Sequence, residues 1–102
     1  MNQVGIVAKS ISVANEVFDK LIGEIKYKDI SKVSRTKNTK WEAVLKDGTL
    51  YRVTTYDDTA RGHRFTDLYI QKGIDKLSLQ RVVYPWLINH EDGSKPTIIW
   101  FD

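Results

Sequence analysis

Two arginines, a histidine and three aspartates crowd into residues 57–71, Asp-Asp-Thr-Ala-Arg-Gly-His-Arg-Phe-Thr-Asp-Leu-Tyr-Ile-Gln. A strand reads as ending in a tight Arg61-Gly62 turn, and an apolar strand follows directly. Asp57, Asp58 and Asp67 are of the type that serves as acid and base. Adjacent aspartates in a turn, however, ordinarily solvate it or accept from backbone N–H groups. Arg61, His63, Arg64 and Tyr69 point instead to a contact with a protein partner, because arginine and tyrosine are enriched at interface hot spots.

Other chemistries fall away for want of residues. The chain has no cysteine, so disulfides, thiolate metal sites and cysteine nucleophiles are excluded. Its two histidines, His63 and His90, have no partner at a metal-ligand interval, and each reads as a surface histidine. No Gly-x-Ser-x-Gly elbow offers an activated serine. Gly5-Ile6-Val7-Ala8-Lys9-Ser10 sets a Lys-Ser pair before a helix, but it lacks the loop length and second glycine that would wrap a phosphate. The expectation is a protein without catalytic residues, cofactor or metal, and not an enzyme.

Charge supplies a second candidate surface. Residues 26–40 hold Lys26, Lys28, Lys32, Arg35, Lys37 and Lys40 against one anion, Asp29, an excess of five positive charges. Residues 57–102 are close to neutral, with six basic and seven acidic side chains. Such asymmetry is the footprint of a phosphate backbone or an acidic partner. A lysine-rich strand edge that resists aggregation would look the same. With Arg52, these cations form the expected nucleic-acid-binding set, and Tyr27, Trp41 and Tyr51 are near enough in sequence to act as stacking platforms.

The elements that must position these groups alternate in type. Residues 3–8 form an apolar run suited to a buried strand. Ser10 or Ser12 then caps a helix whose Val13, Ala14, Val17, Phe18, Leu21, Ile22 and Ile25 make one apolar face. Glu16 and Lys26 are placed at its first and last turns, where they would suit the helix dipole, and Gly23 weakens its end. A weak strand over 29–36 is followed by stronger strands over 40–46 and 49–56, joined through Asp47-Gly48, a strong hairpin signal. In the later strand Leu50, Arg52, Thr54 and Tyr56 share one face, opposite Tyr51, Val53 and Thr55, and the arginine and threonines suggest that one side is at least partly solvated.

Residues 68–72 give another strand, ended by Gly73. Asp75 or Ser78 caps a second helix, which Pro85 should kink or stop near Tyr84. Residues 89–94 form a polar loop, and 97–101 close the chain as a buried strand. The fold class is α/β, with α+β as the alternative: a single mixed sheet of five to six strands covered by two helices.

At 102 residues, 41% hydrophobic and 28% charged, the chain has the size and composition of one globular domain, residues 1–102. No apolar run approaches the roughly 20 residues needed to span a bilayer. Residues 1–3 show no basic leader, so a cytoplasmic protein is expected, in the host cytoplasm if phage-encoded.

The order of these motifs resembles the P-loop motor core of phage large terminases and helicase-type ATPases. The first strand, the helix pattern over Ala8–Leu21, the hairpin, the Ala60-Arg61-Gly62 turn, Asp67 and the strand after it are similar to that family's succession up to its Walker B strand. The family's acidic pair falls near Gln71 and Lys72, and its phosphate-binding loop is missing. A carboxamide and an ammonium cannot hold Mg²⁺ or orient a hydrolytic water. The resemblance thus implies a non-catalytic relative. The expected function is a small phage-type binding protein acting on nucleic acid or a complex that handles it. The alternative is a protein-directed inhibitor or modulator of a host or defence complex. Homo-oligomerisation through residues 98–101 is compatible with both.

Overall fold

The computed structural model describes residues 2–35, 41–56 and 63–102. Lys37, Lys40, Asp57, Asp58 and the Ala60-Arg61-Gly62 turn lie outside the described residues.

The sheet is mixed and six-stranded. Its strands are β1 (Gln3–Ala8), β2 (Ile30–Ser34), β3 (Glu42–Leu45), β4 (Leu50–Thr55), β5 (Asp67–Gln71) and β6 (Thr97–Phe101), in the spatial order β2-β3-β4-β1-β5-β6. β2, β3 and β4 form an antiparallel meander, whereas β4, β1, β5 and β6 run parallel. β1 is therefore central, with β4 on one side and β5 on the other. Parallel neighbours need crossovers, which are supplied by α1 (Ile11–Gly23) and by a helical segment that starts at α2 (Lys76–Ser78).

Alternation along β1 divides the core. Ile6 and Ala8 face α1 and pack with Ala14, Phe18, Ile22, Ala43 and Val53. Val7 faces the other way and packs with Phe65, Leu68, Ile70, Leu79, Val83 and Trp86 beneath the second helical segment. Gly5 shares Val7's face, and a Cβ there would stand 2.6 Å from Leu68 Cδ2 and 3.0 Å from the Phe65 ring. Only a glycine lets those two side chains close over the central strand.

Local signals account for the helix ends and turns. Ser10 Oγ accepts from Val13 N at 3.3 Å and caps α1, which stops at Gly23. Glu16 lies beyond the first turn, and Lys26 lies past the helix end, where it precedes a 3₁₀ turn (Tyr27–Asp29). The hairpin turns at Gly48 (φ 93°), with Asp47 Oδ1 accepting from Thr49 N at 2.8 Å. Gly73 (φ 91°) ends β5.

The second helical segment is more broken than its apolar pattern suggests. Asp75 caps it, but only Lys76–Ser78 is α-helical; a π turn (Leu79–Val83) and a 3₁₀ turn (Tyr84–Trp86) follow. Pro85 has no N–H to donate, so the α ladder cannot run through it. The Tyr84 N–H reaches back to Leu79 O instead, and Leu87 N bonds Tyr84 O at 3.0 Å.

Two expectations about burial are corrected. β6 is an edge strand rather than a buried one, with Ile99 37% and Trp100 43% exposed, because among the described residues β5 is its only neighbour. Thr54 is fully buried rather than solvated, since β4 lies inside the sheet between β3 and β1.

Candidate functional site

The expected basic surface separates into three places. β2 pairs antiparallel with β3, placing Lys32 opposite Val44 and Ser34 opposite Glu42, which in turn faces Arg52. Lys32 and Arg52 thus share the sheet face away from α1. There Arg52 Nε donates to Glu42 Oε1 at 2.8 Å, which satisfies part of its charge.

Arg35 turns to the opposite face. Its Nε and Nη2 donate to Asp19 Oδ1 at 3.1 and 2.9 Å. Its guanidinium also lies 5.6 Å from the Phe18 ring centre and 5.5 Å from that of Trp41. Phe18 and Trp41 meet edge to face at 5.8 Å. Arg35 therefore ties β2 to α1, and half-buried Trp41 packs as a core aromatic rather than a free platform.

The third place is the turn between α1 and β2. Lys26, Tyr27 and Lys28 are all exposed, and Tyr27 is 92% exposed, far more than any other large apolar or aromatic side chain among the described residues. The 3₁₀ turn holds them: Asp29 N donates to Lys26 O at 2.9 Å. Lys46 N donates to Asp29 O at 2.9 Å, which fastens the end of β3 to this turn and adds Lys46 to the neighbourhood. A cleft of about 580 Å³ lies alongside, lined by Ile25, Asp29, Leu45, Lys46 and Asp47. Lys46 carried no local signal in the sequence, because only the tertiary contact brings it to residues 26–28.

The expected partner-contact set is also divided. Arg61 lies outside the described residues. His63 is a correction: at 7% exposure it is buried, stacked on Phe65 at 5.5 Å and edge-on to Trp86 at 4.9 Å. Its imidazole extends the Phe65–Trp86 aromatic cluster, which holds it out of water. Arg64 is exposed, and its Nη1 donates to the His63 carbonyl at 2.7 Å. Tyr69 points to the other side of the sheet, toward the core beneath α1.

Tyr69 belongs instead to a cavity of about 330 Å³ lined by Asn2, Val4, Leu45, Asp47, Thr49, Tyr51, Asp67, Tyr69 and Ile99. The register explains the assembly. Val4 lies between Tyr51 and Asp67, and Tyr69 faces Ile99. Behind the cavity, Asp67 Oδ2 accepts from Thr66 Oγ1 at 2.8 Å, and Oδ1 lies 3.7 Å from His90 Nε2. His90, half-buried rather than on the open surface, also lies 3.4 Å from Asn2 Oδ1 and 3.4 Å from Thr97 Oγ1. Burial pushes the Tyr51 hydroxyl above its ordinary pKa, and Tyr69, Asp67 and Asp47 add to the effect. The pairing that joins Tyr51 to Asp67 runs through β1, so no sequence spacing announces this site.

Gln71, at the position of the motor family's acidic pair, accepts from Lys9 N at 2.8 Å through Oε1. It therefore joins the carboxyl ends of β1 and β5. Among the described residues no three His, Cys, Asp or Glu side chains cluster to hold a metal, and no helix is long and apolar enough to cross a membrane. Compared with known proteins, the chain matches no family model, no curated protein and no solved structure.

Proposed function

We propose that this protein is a non-catalytic binding protein that engages single-stranded nucleic acid, alone or within a complex that handles it, through the Lys26-Tyr27-Lys28 turn. The observation that carries the reading is the full exposure of Tyr27 between two exposed lysines. A tyrosine left in water on a short, hydrogen-bonded turn contributes little to the core, but it offers a flat face to an unstacked base. Lysines on either side, with Lys46 beside them, are placed to meet the flanking phosphates. This combination of stacking face and backbone charge is the general form of sequence-tolerant single-strand binding. The resemblance to a nucleic-acid motor core is compatible with it and rests on motif order.

Fluorescence anisotropy with labelled single- and double-stranded DNA and RNA, at low and moderate salt, tests the reading. Micromolar single-strand binding that weakens with salt is expected. Tyr27→Ala should weaken it by about 1 kcal/mol or more, the scale of one stacked base. Lys26→Glu with Lys28→Glu should weaken it further and flatten the salt dependence. Absence of binding at low salt would refute the proposal.

The protein-directed reading has its own observation: among the described residues no strand pairs with the outer edge of β6, which carries half-exposed Ile99 and Trp100. An extended partner segment adding to that edge would gain main-chain hydrogen bonds and apolar contact together. Loss of capture of the partner by Trp100→Lys, with nucleic-acid binding unchanged, would identify it.

A further inference from the structure

We infer that the cavity at the amino-terminal ends of β1, β4 and β5 is a binding site for an organic cation, an alkylammonium or guanidinium group. The inference is independent of the nucleic-acid reading, because the cavity lining contains none of that reading's residues.

Its shape follows from the packing of α1. That helix covers Ile6, Ala8 and Val53 but contributes no residue to the cavity lining, so the opposite ends of the same strands lie open beside it. Val4, Leu45 and Ile99 supply apolar wall, and Tyr51 and Tyr69 supply two aromatic rings. At about 330 Å³ the space suits a small ligand or one long side chain.

The lining is one-sided in charge. Asp47 and Asp67 contribute carboxylates, Asn2, Thr49 and the tyrosines contribute neutral polar groups, and among the described residues no lysine or arginine lines it. This is an anionic recess on a chain of net charge +3. Asp47 Oδ1 accepts from Thr49 N, Asp67 Oδ2 accepts from Thr66 Oγ1, and Asp67 Oδ1 lies 3.7 Å from His90 Nε2; each carboxylate, with about four lone-pair sites, keeps capacity for a further donor. A phosphate or carboxylate would be repelled. A metal ion is poorly served, because the two carboxylates bring no third ligating His, Cys, Asp or Glu within the described residues. An organic cation matches every part: N–H donors for the carboxylates, a charge for the electron-rich tyrosine faces, and methylenes for Val4, Leu45 and Ile99. The raised pKa of Tyr51 reports the same negative, partly desolvated surroundings.

The same headgroup could arrive on a free amine or on a lysine or arginine of another protein. NMR titration of the whole protein with putrescine, with butylguanidinium and with a Gly-Lys-Gly peptide separates these sources. Butyrate at matched ionic strength is the control. Saturable shifts at Tyr51, Asp67 and Tyr69 with cationic probes, absent with butyrate, are expected. A response to putrescine or butylguanidinium but not the peptide identifies a free cation as ligand, and a peptide response identifies a protein side chain. Asp67→Asn should weaken binding about tenfold, the loss of one charge-assisted hydrogen bond. Tyr69→Leu, which keeps an apolar side chain but removes the ring face, should weaken it several-fold, and it serves if Asp67→Asn does not fold. Absence of saturable shifts with all three cations would overturn the inference. So would shifts confined to other acidic surfaces, or affinities unchanged in a folded variant.

Discussion

The Arg35 guanidinium has two sets of partners, the Asp19 carboxylate and the rings of Phe18 and Trp41. Its charge is therefore committed to holding β2 against α1. Arg35→Ala should lower stability by about 1 kcal/mol, combining an exposed ion pair with a cation–π contact, as read from urea midpoints. Single-strand binding should change far less than in the Tyr27 variant. Asp75 tests electrostatics at a helix start. Hydrogen bonds from the Ser78 hydroxyl and backbone N–H hold its carboxyl below the ordinary aspartate pKa. A depressed pKa stabilises the fold above the ordinary value of 3.8, and that contribution is lost as pH falls through and below it. Asparagine caps equally well but does not titrate. Asp75→Asn should thus match the wild type in urea midpoint at pH 7 and lose less stability on acidification. Tyr51 works at the other end of the scale. Its raised pKa means the unfolded chain ionises first, so stability falls as pH rises above about 10. Tyr51→Phe should flatten that alkaline limb.

Among the elements, β1 carries the tightest constraint. Gly5 lies where Leu68 and Phe65, both buried, close over the strand, so Gly5→Ala must displace one of them. A loss of about 1–3 kcal/mol in chemical denaturation is expected, the range for overpacking a core. Hairpin β3–β4 and helix α1 were legible in the sequence because Asp47-Gly48, the Ser10 cap and the apolar spacing are local signals. The second helical segment was legible only in outline. Its apolar positions and Pro85 were visible, but the π turn depends on how Leu79, Val83 and Trp86 must all reach the same core. The burial of His63 has a related cause: Phe65 is its neighbour in sequence, whereas Trp86 arrives from across the fold.

At the scale of the molecule, burial falls from the middle of the sheet to its edges. β1 has a neighbour on each side and an almost unbroken buried run, whereas among the described residues β2 and β6 each have one neighbour and are largely open. Native-state hydrogen exchange should therefore protect the amides of β1 and β5 most and release those of β2 and β6 first. Uniform protection across all six strands would contradict this gradient. The candidate sites follow the same geography: Tyr27 occupies a connection at the periphery, and the tyrosine–aspartate cavity opens where α1 leaves the ends of the central strands uncovered.

By itself the sequence determined the succession of strands and helical segments in outline, the hairpin, the start of α1, the α/β class and the exclusion of thiol chemistry. Each depends on composition or on residues a few positions apart. The tertiary structure alone decided that β1 is central and β6 an edge, that Arg35 lies across Asp19, Phe18 and Trp41 while Tyr27 stays in water, and that Tyr51, Asp67 and Tyr69 share one cavity. Those outcomes depend on parallel pairing across β1, with partners such as Val4 and Asp67 separated by more than half the chain. No local preference encodes such a pairing; it emerges when the two faces of one strand must both be buried.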